Sequence, residues 1–208
     1  MTEALSILIA LLLGAIPTAY LAGRWRKGGD IRQMGGGNMG ALNATRELGL
    51  GVGLAVLVID VGKAVAAIFI ARALEVSYLW VYAAGLAAVI GHCWPVFLKF
   101  RGGKGAASGL GVSLALSPLP FLCVLPIGLL VIWLTSNVTL GMAAGFIFLP
   151  FFLWLFGYPL HLIFFILVLI IFLGLRYLGT AKRNLNKKGW RDFLIEKKYT
   201  PWQRPKNN

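Results

Sequence analysis

The sequence predicts an all-α, polytopic membrane protein of about seven transmembrane helices, and three observations carry that reading. Of its 208 residues, 59% are hydrophobic and only 13% charged, with a mean hydropathy of +0.80, which is more apolar than a soluble core requires. The apolar residues fall into successive runs near the ~20 residues that span a hydrocarbon layer. Cations gather in a few segments between those runs. The 26 glycines agree, because small residues let membrane helices approach closely.

In order, the candidate spans are 4–23, 48–72, 78–98, 106–119, 121–135, 139–156 and 160–178. Pro118 and Pro120 are read as a turn between two of them; one long kinked helix would leave six spans. The N-terminus, Met-Thr-Glu followed by apolar residues, lacks the positive start of a cleaved signal, so the first run is expected to be retained. Residues 1–178 read as a single membrane-embedded domain and 179–208 as a basic tail. Within that tail, residues 189–199 suit either a short interfacial helix or a polybasic stretch held to anionic headgroups.

Charge sets the orientation. Eighteen of the twenty Lys and Arg lie in 24–46, 99–105 and from 176 onward, so these three segments are assigned to the cytoplasmic side. An odd number of helices then places the N-terminus outside and the C-terminus inside. The same retention of cations explains the net charge of +13 without nucleic acid. Cys93 and Cys123 stand in apolar context, where neither a disulfide nor a metal site is expected. No cofactor is expected.

Two polar islands carry the chemistry. Residues 24–46 hold Gly35, Gly36, Gly37 and Gly40 beside Asn38, Asn43 and Arg46; residues 99–105 hold Gly102, Gly103 and Gly105 beside Lys99, Arg101 and Lys104. Bare backbone beside cations suits a phosphate, and the two islands are expected to meet on one membrane face. Gly35 to Gly40 matches G-x-G-x-x-G, but a membrane helix precedes it where a dinucleotide fold needs a strand; around Lys104 the Walker pattern fails at Leu98 and Gly105. Flanking apolar helices would hold an acyl chain while the islands hold a phosphate.

Asp60 and Lys63 interrupt the second run at i and i+3, where an ionisable group needs a partner or a polar cavity. They read either as a pair that orders the bundle or as a catalytic part. His92, near the end of the third run, reads either as a group that orients a loop carbonyl or as a base. His161 reads as an interfacial residue.

These residues resemble the bacterial acyl-phosphate-dependent glycerol-3-phosphate acyltransferases, the PlsY family. The match includes Gly14 to Pro17, Tyr20 to Arg24, Gly37 to Asn43 with Arg46, Asp60 to Lys63, and above all Gly91 to Gly105. The resemblance implies seven helices with cytoplasmic loops in a bacterial inner membrane. It also implies that acyl phosphate and glycerol 3-phosphate are converted to 1-acylglycerol 3-phosphate and phosphate. Lys104, Arg46, His92 and Asn184 are the candidate catalytic residues; Gly36, Gly37, Asn38, Gly40, Asn43, Gly102, Gly103 and Thr139 are the candidate substrate- and phosphate-binding residues, with Asp60 and Lys63 behind them. The chain has Gly36, Leu42 and Ala181 where the family pattern carries serine, threonine and histidine. Two alternatives follow from those departures: a different acceptor, or a non-catalytic phospholipid-binding or transport protein.

Overall fold

The computed structural model describes residues 1–194, with side chains described through Gly179 and at Ala181. Among the described residues the regular structure is helical throughout. The helices are α1 (Thr2–Ala15), α2 (Thr18–Lys27), α3 (Ala41–Leu48), α4 (Leu50–Ala73), α5 (Tyr78–Cys93), α6 (Ala106–Leu116), α7 (Pro118–Thr135), α8 (Val138–Leu155) and α9 (Leu160–Leu194), with single 3-10 turns at Ile31–Gln33 and Val96–Leu98. Six stretches among these residues are long and apolar enough to cross a membrane: Thr2–Lys27, Leu50–Ala73, Tyr78–Leu98, Pro118–Thr135, Val138–Leu155 and Leu160–Gly179. Ala106–Leu116 is a shorter apolar helix.

Two boundaries differ from the sequence reading for identifiable reasons. The first span is not one helix over 4–23 but α1 and α2, broken at Ile16 and Pro17. Proline has no N–H and pushes the residue before it out of helical conformation, and Ile16 accordingly has ψ 116°. The second break falls at Ser117, one residue before the expected turn, and Pro118 and Pro120 lie inside the first turn of α7. Amides at a helix start have no intrahelical acceptor, so proline costs little there. Residues 189–194 continue α9; the remainder of the proposed 189–199 segment lies outside the described residues.

The chain divides into two compact units. The first comprises Met1–Pro118 and Ile171–Arg176. Its helices meet through glycine and alanine: a Cβ on Gly14 would land on the Ala88 backbone, one on Gly91 on the Leu11 carbonyl, and one on Gly111 on the Val61 carbonyl. Those three contacts bring α1 against α5 and α6 against α4 at backbone distance. Dispersion between closely packed backbones drives such association, since lipid tails leave little hydrophobic gain between helices.

The second unit comprises Leu119–Ile170 and the chain from Tyr177. Leu149, Leu153, Leu162, Ile166 and Leu169 are buried within it. Asn137 caps α8 by accepting from the Thr139 and Leu140 amides at 3.0 and 3.2 Å.

Gly14→Val is expected to lower the thermal unfolding midpoint in detergent markedly, since overpacking typically costs about 1–3 kcal/mol. Gly62→Ala, where a Cβ meets nothing within 4 Å, is expected to leave that midpoint unchanged.

Candidate active site

The first island is a loop held by one side chain. Asn43, buried on α3, donates from Nδ2 to the carbonyls of Ile31 and Met34 at 3.2 and 3.1 Å, while its Oδ1 accepts from the Gly36 amide at 3.0 Å. Gly35 and Gly37 have φ of +51° and +65°, a region where a side chain is strained. Ile31 and Met39 pin the loop from below, buried with Ala19, Ala44, Leu48 and Val56.

The second island turns its bare faces inward. The Gly102 and Gly103 amides donate to the Cys93 and His92 carbonyls at 3.1 and 3.0 Å. A Cβ on Gly102 would strike the His92 carbonyl, and one on Gly103 would strike the His92 ring at Nε2. Gly105, at φ +86°, lies against Val89, Cys93 and Leu173. These glycines fold the loop back over the end of α5.

Arg32 joins the islands. Its guanidinium pairs with Asp30, with Nη2 to Oδ2 at 2.6 Å, and Nη1 donates to the Leu98 and Arg101 carbonyls at 3.2 and 3.4 Å. Arg176 of α9 ties down the same loop from another direction. Its Nη2 donates to the Gly103 carbonyl at 3.0 Å, and its guanidinium lies 4.4 Å from the centre of the Trp94 ring. The expectation that the islands meet is therefore met through side chains that the sequence reading had counted only as charges.

Beneath the loops lies a buried polar cluster. Lys63 Nζ is 2.9 Å from Asp60 Oδ1, 3.0 Å from the Ile16 carbonyl oxygen and 3.1 Å from His92 Nδ1. Thr18 Oγ1 donates to Asp60 Oδ1 at 3.0 Å. The break at Pro17 supplies both the Ile16 carbonyl and Thr18, so the sequence feature that interrupts the first helix also provides partners for Lys63 Nζ and Asp60 Oδ1.

The structure places the residues singled out in the sequence as follows. Asn43 is a loop staple whose amide is spent on backbone. The Gly36 amide is engaged by Asn43 and the Gly37 amide donates to Met34 at 3.0 Å, so the amides of Gly36, Gly37, Gly102 and Gly103 hold their own loops. An amide already in such a bond is a poor anion donor. His92 is buried with Lys63. Arg46 is half-buried in the last turn of α3, Lys104 is half-buried in the second loop, and the Asn38 amide folds against Gly40. Thr139 belongs to the second unit, at the start of α8. Asn184 lies on α9 with its side chain outside the described residues. Asp30, Arg32, Thr18 and Arg176 were missed. The Asp-Ile-Arg spacing was a signal for the first pair, and the chain break at Pro17 was one for Thr18.

A multi-pass helical membrane protein with two linked, cation-bearing glycine loops is the class that this fold and site define. A family model described as glycerol-3-phosphate acyltransferase matches residues 4–187. Glycerol-3-phosphate acyltransferase 1 of Dehalococcoides mccartyi is 39% identical, with 98% of this chain and all of that protein covered. Two crystal structures of PlsY (YgiH), an integral membrane glycerol 3-phosphate acyltransferase, in its glycerol 3-phosphate and lysophosphatidic acid forms, superpose with TM-scores of 0.83 and 0.81. They are 32% and 31% identical, over 92% of this chain and 96% and 95% of theirs. The chain belongs to the glycerol-3-phosphate acyltransferase family.

Asn43→Ala is expected to loosen residues 31–40, because it removes three hydrogen bonds worth about 1 kcal/mol each. Faster amide exchange confined to that loop would report it. The Arg32 guanidinium holds the Asp30 carboxyl below its usual range. Their pairing is therefore complete above that range and is lost as pH falls through the lowered value. Loop protection is expected to fall only in acid, and Asp30→Asn is expected to flatten that dependence.

Proposed function

We infer that the chain transfers an acyl group from an acyl phosphate to glycerol 3-phosphate, forming 1-acylglycerol 3-phosphate and inorganic phosphate, at the cytoplasmic face of a bacterial inner membrane. The observation that supports this most is the joining of the two cationic loops by Arg32, which keeps Arg46 and Lys104 on segments of one assembly. A substrate pair carrying two phosphates matches that charge. The bond from Arg176, the first cation of the third segment, to the second loop supports retention of the basic segments on one side.

An acyl phosphate is a mixed anhydride with a good leaving group, so no covalent enzyme intermediate is needed. The acceptor hydroxyl oxygen attacks the acyl carbonyl carbon, the bond from that carbon to the phosphate oxygen breaks, and the departing phosphate takes the hydroxyl proton. The protein supplies positioning and charge. Lys104 and Arg46 hold the substrate phosphates and Asn38 orients the acceptor. Asn184 fixes the acceptor together with Asn38. With four glycine amides engaged inside their loops, charge neutralisation falls chiefly to the two cations.

The test mixes purified protein in lipid or detergent with acyl phosphate and glycerol 3-phosphate and follows phosphate release and lysophosphatidate formation. Lys104→Ala is expected to reduce product formation on the order of 100-fold, the usual loss for a charge-stabilising donor. Retention of activity within about threefold would remove Lys104 from the mechanism. Phosphate release without lipid product would instead indicate a different acceptor. A Cβ on Gly36 meets only Asn43 Oδ1, at 3.6 Å, so Gly36→Ser is expected to fold normally and to match or exceed the parent rate.

A further inference from the structure

The buried cluster settles what His92 is able to do. Lys63 Nζ has three polar neighbours at 2.9–3.1 Å: the Asp60 carboxylate, the Ile16 carbonyl and His92 Nδ1. The first two only accept. An ammonium has three protons to give, and these three neighbours match them one for one if His92 Nδ1 also accepts. A proton on Nδ1 would face the ammonium at 3.1 Å, and its distance to Asp60 Oδ1, 3.6 Å, is too long for a good hydrogen bond. An imidazolium here would set two cations against one carboxylate among residues at most 6% exposed.

We propose that Lys63, backed by Asp60, fixes His92 as a neutral imidazole protonated on Nε2, so that His92 is a positioning residue for the Lys104 loop rather than a general base. A base needs a lone pair toward its substrate. Here the Nδ1 lone pair is engaged by Lys63, and Nε2, carrying the proton, lies against Gly103. The His92 carbonyl accepts from the Gly103 amide, so ring and backbone together seat the residue that precedes Lys104. Asp60, Lys63 and Thr18 thereby act on the loop through His92. The kinetic part of this proposal rests on the acyltransferase reading above; the tautomer does not.

The first experiment is nitrogen-15 NMR of the histidine-labelled full chain in micelles, with His161→Gln to remove the second histidine. The expected spectrum has His92 Nδ1 in the unprotonated range and Nε2 in the protonated range. Protonated Nδ1, or an imidazolium pattern, would overturn the proposal whether or not the protein turns over substrate.

The second experiment is the pH–rate profile of His92→Gln, whose amide approximates the Nε2 donor. The expected result is an unchanged profile shape with kcat lowered by roughly 10-fold or less. A general base would instead lose about 100- to 10,000-fold together with one limb of the profile, and that result would overturn the positioning role. Asp60→Asn with Lys63→Met replaces both buried charges at once, avoiding the destabilisation of a lone buried charge. Among variants retaining the parent's thermal midpoint, it is expected to lower kcat about 10- to 100-fold through loop misplacement. A folded double variant with parental kcat and KM would show that the cluster does not act on the loop.

Discussion

A buried ammonium needs acceptors, and in this protein Lys63 draws three chain segments together to provide them. Its partners come from the interrupted first span, from its own helix and from the end of α5. In a bilayer no water is at hand to satisfy such a group, so these contacts must be made within the protein or the charge is excluded. Replacing the pair by apolar residues need not cost stability, whereas leaving one partner alone would. The cluster is therefore better understood as a device for specifying geometry. It fixes where α5 ends relative to α4, and thereby where the loop after α5 begins.

The glycines divide into distinct physical kinds. Gly14, Gly91 and Gly111 serve helix packing, where a single methyl group would meet a neighbouring backbone. Gly102, Gly103 and Gly105 let a loop fold flat against the end of α5. Gly35 and Gly37 supply left-handed backbone in the first loop. In the second loop the lack of side chains brings backbone to backbone. Glycine-rich sequence beside cations is thus compatible with a phosphate site even where the amides are not the donors.

Two arginines hold the second loop by its carbonyl oxygens, Arg32 while paired with Asp30 and Arg176 while stacked on Trp94. Arg32 and Arg176 each present a planar fork of donors, which allows one side chain to pair or stack and to grip backbone at the same time. Lysine has no such fork. Neither arginine needs to touch a substrate to matter for the site, because each holds the loop that bears Lys104 or the segment leading into it.

The sequence alone determined the all-helical membrane class, the Asp60–Lys63 pairing and the family, because hydropathy, charge placement and the Gly91 to Gly105 motif are local properties of the chain. Shared composition and charge also marked both islands as segments that meet. Only the tertiary structure decided which groups in those islands are already engaged. Asn43 and the amides of Gly36, Gly37, Gly102 and Gly103 look like ligand donors in sequence, and their partners lie up to twelve residues away. The junctions made by Arg32 and Arg176 reach 66 and 73 residues along the chain. Spacing along a chain reports which side chains share a helix face, but whether a hydrogen-bonding group is still available depends on what the fold brings opposite it.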